Sequence, residues 1–192
     1  MTLRLLACLV LLAAPGGLLQ VPDVRQSTPY SCGAAALQAV LAYWGVELRE
    51  DQLMERLGTD PEVGTPPDAI LRVARELGLQ ADLREGLALE DLAAALEQGV
   101  PVIVAMQAWR DGPGSPWAEE WDDGHYVVVI GLDAEKVVVE DPSLLGSRGF
   151  LPRAEFVERW HDVDGQGRRY VRCGIFLRGT RPCPPPELRP VE

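Results

Sequence analysis

The sequence predicts an α+β fold with helices first and antiparallel strands second. Three observations carry this: apolar residues recur at helical spacing before Pro101, β-branched runs dominate after it, and two of those runs are joined by a connection of hairpin length. Gly33–Trp44 is rich in Ala and Leu, with Leu37, Val40, Leu41 and Trp44 on one stripe and Gly45 stopping it. Glu50–Leu57 fits a shorter helix. Thr65 then caps a third, with Pro66 in its first turn, Ile70, Ala74 and Leu77 on one face, and Gly78 at its end. Leu79–Leu83 alternates as a short strand does, and Leu89–Gln98 reads as a fourth helix closed by Gly99.

The strand half begins with Val102–Ala105, followed by His125–Leu132, Lys136–Glu140 and Arg169–Leu177. Gly131–Glu135 is short enough to make the two middle runs an antiparallel hairpin. A single short helix, Arg153–Trp160, interrupts the strands, and the proline-rich stretch Pro182–Pro190 reads as an extended tail.

A chain of 192 residues suits one domain with a sizeable core. Its net charge of −11 disfavours nucleic-acid phosphates and anionic membrane surfaces as partners. Residues 1–20 carry an early cation (Arg4), the apolar run Leu5–Ala14 and the small residues Pro15-Gly16-Gly17, the order found in a secretory signal. That run is too short to span about 30 Å of hydrocarbon. The expected organisation is therefore a signal segment at 1–20, a folded domain at 21–181 and a tail at 182–192, in an exported protein whose mature chain has no stable membrane insertion.

Export changes the reading of the cysteines. Without Cys8, the chain keeps Cys32, Cys173 and Cys183. Cys173 and Cys183 are close in sequence and form the natural disulfide pair, which leaves Cys32 single. The spacing of histidines and cysteines gives no zinc pattern, and no cofactor is implied.

Cys32 stands where a turn becomes a helix, in Gln26-Ser-Thr-Pro-Tyr-Ser-Cys32-Gly33. Backbone N–H groups and the helix dipole favour negative charge there, which suits a nucleophilic sulfur. A small buried hydrophobe at a helix start is the alternative. Gln26 offers an uncharged amide donor for a developing oxyanion. A thiol nucleophile needs a base, and the two histidines are His125 and His161. His125 opens a strand directly after the loop Arg110–Asp123, fixed yet reachable; His161 follows a short helix, where a cation is ordinary electrostatics. An imidazole needs an orienting partner, and with no Asn in the chain the candidates are carboxylates. Asp141 ends the strand after the hairpin. Counting eight residues either side of Asp133 brings it back to His125. The alternative for Asp141 is a turn cap with Pro142. Glu119–Asp123 reads as a solvated acidic loop or a substrate rim.

Gln26…Cys32-Gly, Gly124-His125-Tyr-Val-Val-Val and Asp141-Pro142 resemble the papain-like bacterial cysteine peptidases of the double-glycine leader peptidase family, family thirty-nine. The segment Leu92–Val104 is similar to that family's crossing from helical lobe to sheet. The resemblance implies a papain-like fold, a helical lobe packed on an antiparallel sheet, and a thiol peptidase acting on peptide or protein substrates. It implies Cys32 as nucleophile, His125 as base, Asp141 orienting it and Gln26 in the oxyanion hole. The best-known members are fused to a membrane exporter and an ATPase. This chain carries neither, so double-glycine specificity does not carry over. An acyl transferase on the same scaffold and a non-catalytic binding module are the rival readings.

Overall fold

The computed structural model describes residues 17–110, 116–144, 146, 148–180 and 182. The helices are α1 (Cys32–Tyr43), α2 (Glu50–Leu57), α3 (Pro67–Glu76), α4 (Leu89–Glu97) and α5 (Arg153–Arg159). The strands are β1 (Gln80–Arg84), β2 (Val102–Gln107), β3 (Gly124–Leu132), β4 (Lys136–Glu140), β5 (Gly149–Pro152), β6 (His161–Val163), β7 (Arg169–Val171) and β8 (Gly174–Arg178). Six of them form one sheet in the order β1-β8-β2-β3-β4-β5, every pair antiparallel, and β6 pairs with β7 separately.

Both faces of this sheet are covered, which explains why β2 and β3 read as continuous apolar runs. On one face Ala36, Leu37 and Val40 of α1 and Ile70 of α3 pack with Ile103, Val128 and Ile130. On the other, Leu92 of α4 and Phe156 of α5 pack with Val104, Val127, Val129 and Val139. The alternation of period two is intact beneath the unbroken hydrophobic sequence.

Several expectations change in detail. Thr65 does not cap α3: the N-cap is Pro66, with no side-chain cap. Thr65 is buried, its hydroxyl bonded to that of Thr59 at 2.9 Å and its carbonyl accepting from the Tyr126 hydroxyl at 3.1 Å. The run Arg169–Leu177 divides into β7 and β8 because Arg172 adopts a left-handed φ of 49°. The Arg172 N–H and Cys173 carbonyl then both bond to Trp160, at 2.8 Å each, and turn the chain from the small sheet to the large one. β5 escapes the sequence pattern because it contains Gly and Pro, which an edge strand tolerates. β6 is only three residues long.

The hairpin of β3 and β4 carries a bulge. Leu132 and Gly131 face Val137 and Val138, but Val129 and Val128 face Val139 and Glu140, so Ile130 is the extra residue. Asp141, one position beyond Glu140, falls level with Val127 and on the same side of the sheet as His125.

The folded body takes in chain ahead of Val21. Leu19 donates its N–H to the Ile130 carbonyl at 2.9 Å, and Leu19 and Val21 are both in the core. Residues 1–16, with most of the expected signal segment and Cys8, lie outside the described residues, as do Cys183 and the tail beyond Pro182. Among the described residues no helix is long and apolar enough to cross a membrane.

Candidate active site

Cys32 is the first residue of α1 and lies at the edge of burial. Ser31 precedes it but does not cap the helix. Its hydroxyl accepts from the Thr28 N–H at 3.1 Å and donates to the Thr28 carbonyl at 3.1 Å, closing the loop instead. With no side-chain cap and no acidic residue in the first turn, the positive end of the α1 dipole is left to the sulfur and to whatever approaches it. Gly33 is required by packing: a Cβ there would lie 2.7 Å from the Thr65 Cβ and 3.1 Å from the Tyr126 ring. Gly33 thus lets Thr65 and Tyr126 pack against the start of α1.

His125 is buried near the start of β3, and its Nε2–H donates to Asp141 Oδ1 at 2.7 Å. The same oxygen accepts from the Ser143 N–H at 2.9 Å and hydroxyl at 2.8 Å, which fixes the carboxylate. The His125 ring also lies within electrostatic reach of Cys32. With Nε2 committed to Asp141, Nδ1 is the nitrogen left for the sulfur. Burial works against charge on this imidazole. The hydrogen bond to Asp141, with Cys32 adding to it, outweighs burial and raises the pKa to about 9. Asp141 is likewise opposed by burial, yet the bond to His125 keeps its carboxyl below its ordinary value. Both shifts favour a charged imidazole beside the Asp141 carboxylate. Trp109 stacks obliquely on this ring, with centroids 5.0 Å apart, and is half exposed.

Gln26 arrives by a different route. Its backbone N–H donates to the Pro142 carbonyl at 2.9 Å, tying its loop to the turn that follows Asp141. Its amide Nε2 donates to the Thr28 carbonyl at 2.7 Å, while Oε1 is buried without a hydrogen-bond partner. The structure thus joins His125 to Asp141 directly, with Cys32 within electrostatic reach of the ring, and brings Gln26 to the same corner through a backbone contact with Pro142. His161 is held elsewhere: its Nε2–H donates to the Glu120 carbonyl at 2.6 Å and its ring packs on Trp121 at 4.4 Å. Cys173 is a free, buried thiol that burial pushes up to about 12. Among the described residues no group of three His, Cys, Asp or Glu is placed to hold a metal ion.

Two carboxylates went unnoticed in the sequence. Asp162, on β6, lies where a Cβ on Gly124 would fall, so the glycine before His125 is what admits it. Burial raises Asp162 to about 6. Glu140 is buried beside Asp141; its Oε1 accepts from the Val24 N–H at 3.0 Å and its Oε2 has no hydrogen-bond partner. Burial raises it to about 8, with Asp23 and Asp141 adding to the shift. The only signal for it was a carboxylate closing an apolar strand, next to another.

Because the folded pKa of Glu140 exceeds the unfolded one, its protonated form favours the fold below about 4.5, and that contribution disappears as pH rises through about 8. Melting between pH 5.5 and 9 should therefore show a falling Tm, and Glu140→Gln should shrink the fall by about 2–4 °C per kcal/mol recovered. An unchanged pH slope in that variant would assign the loss to other groups.

Known proteins resemble this chain in sequence and in fold. A family model, the peptidase C39-like family, matches residues 18–168. An uncharacterized protein of Methanothermobacter marburgensis is 34% identical over 121 residues, 63% of this chain and 71% of that protein. The probable functional amyloid protease FapD of Pseudomonas aeruginosa is 32% identical over 176 residues, 85% of this chain and 66% of FapD. Among solved structures, a double-glycine motif protease from an AMS/PCAT transporter, in complex with its leader peptide, superposes with a TM-score of 0.57 at 22% identity. That match covers 85% of this chain and 95% of the other, and at such identity it speaks for the papain-like fold alone. On the family match, which takes in the Gln26–Cys32 loop, the His125 strand and Asp141, the chain belongs to the peptidase C39-like family of cysteine peptidases.

Proposed function

We propose that this chain hydrolyses peptide or related amide bonds through an acyl-thioester on Cys32. The observation that carries the reading is one imidazole, His125, held at 2.7 Å by Asp141 on one nitrogen and interacting with Cys32, which opens a helix. The sulfur attacks the carbonyl carbon and the C–N bond breaks, with the His125 proton passing to the leaving amine. Neutral His125 then takes a proton from water, which attacks the thioester, releases the acid and returns Cys32 and His125 to their starting state with one proton shared between them. The oxyanion is received by the Cys32 backbone N–H and by the Gln26 amide, whose Nε2 carries a second hydrogen beyond the one given to Thr28. Peptide or protein substrates follow from this chemistry; the leader peptide bound by the transporter protease is a precedent in a protein of like fold. Export is part of the proposal and rests on the cation, apolar run and small residues of 1–20.

Labelling tests both parts. Iodoacetamide at pH 6, applied to protein recovered outside the cell, should modify Cys32 at least about tenfold faster than Cys173, whose thiol is buried and held protonated. Peptide mapping by mass should also find the apolar run Leu5–Ala14 absent. Equal labelling of the two cysteines would remove Cys32 as nucleophile, and an intact N-terminus would remove the export reading.

A further inference from the structure

A cavity of about 530 Å³ opens beside Cys32. If the sulfur is the attacking atom, a residue of the substrate near the scissile bond must lie in this space, and the lining decides which residue it accepts. The charged residues among the described lining are all acidic. Glu62 and Asp122 are exposed at the lip and Asp162 lies deeper, while no Lys, Arg or His is present. Asp164 also lines it, but its oxygens are occupied by the Tyr170 hydroxyl and by the N–H groups of Gln166 and Arg168. Among the described residues, Asp162 is hydrogen-bonded through Oδ1, which accepts from the Gln107 amide at 3.2 Å and the Val163 N–H at 2.8 Å. Tyr30 and Trp121 supply aromatic walls.

We infer that this cavity selects a substrate with a basic side chain, Arg or Lys, within two residues of the scissile bond. The inference rests on the peptidase reading of Cys32 and extends it to substrate class. An apolar side chain would strip water from Asp162 and return no bond, and an acidic one would meet the four carboxylates of the lining. A guanidinium or ammonium satisfies the carboxylates and also stacks on aromatic rings. Long-range steering acts in the same direction, since the whole chain carries a charge of −11.

The test uses peptides that differ at one position within two residues of the cleaved bond, bearing Arg, norleucine or Glu. The full chain should cleave the Arg peptide with a kcat/KM at least about tenfold above the norleucine peptide, and the Glu peptide least. Asp162→Asn should bring the Arg-to-norleucine ratio toward one. Glu62→Gln and Asp122→Asn, both at the exposed lip and remote from the core, should each lower it, as should raising the salt from 0.05 to about 0.5 M. The same peptides are then titrated onto the Cys32→Ala chain, which can bind but not cleave, and the affinities should follow the same order. Arg-selective binding without cleavage by the native chain would support the cavity assignment and remove the peptidase reading. Cleavage with no preference for Arg, or a preference that survives all three substitutions, overturns the assignment and leaves the peptidase reading intact.

Discussion

Replacing Cys32 with serine is expected to reduce peptide cleavage by about 10⁴-fold or more, to the level of background, with the melting temperature close to that of the native chain. Serine fits the space of the cysteine at the head of α1, but its hydroxyl is a far weaker nucleophile than a sulfur poised beside the His125 imidazolium. The measurement is turnover of a reporter peptide, paired with thermal unfolding of the same preparation. A serine variant that retains about a tenth of native activity would place the nucleophile elsewhere.

His125→Ala should cost nearly as much, since one ring both protonates the leaving amine and deprotonates water. It also strands Asp141, which is largely buried, so unfolding has to be followed alongside activity. Asp141→Ala is expected to fall short of this loss, at about 10²–10⁴-fold, with Gln26→Ala near 10²–10³. The informative readout is the pH profile. Asp141 heads the interactions that hold His125 up at about 9, so its removal should shift the alkaline limb of kcat/KM down by about one unit or more. An Asp141→Ala enzyme whose alkaline limb does not move would mean that Cys32 alone sustains the histidine charge.

The residues just discussed were legible in the sequence because each sits at an element boundary with a local signature. Cys32 begins an Ala-rich helix, His125 begins a run of valines, and Asp141 ends the partner strand. The helices were legible for a similar reason: the apolar stripes that mark them are the faces that pack on the sheet. What stayed hidden depends on contacts between distant segments. Asp162 reaches the site because β6 runs past Gly124, and nothing near either residue in sequence announces that approach. Trp109 precedes a loop, and only the folded chain lays it over His125. The same reason accounts for Thr65. It carries every mark of a cap, but burial under Gly33 puts its hydroxyl to use against Thr59.

The extra residue in the β3–β4 hairpin constrains which insertions and deletions this chain can absorb. His125 and Asp141 are sixteen residues apart, an even separation. In an unbroken antiparallel hairpin closed as this one is, facing residues are an odd number apart, as Leu132 and Val137 are. Without Ile130 as a spare, Asp141 would stand level with Val128 and point to the α1 side of the sheet, away from the imidazole. Loss of a residue at or beyond the bulge, toward the turn, can be taken up locally, although losing Ile130 itself sacrifices a fully buried side chain. Loss of one residue between Tyr126 and Val128, or of Glu140, reverses the parity and separates acid from base while leaving the hydrophobic sandwich able to form. For this fold, then, a length change that is harmless at one end of the hairpin abolishes the His125–Asp141 pairing at the other.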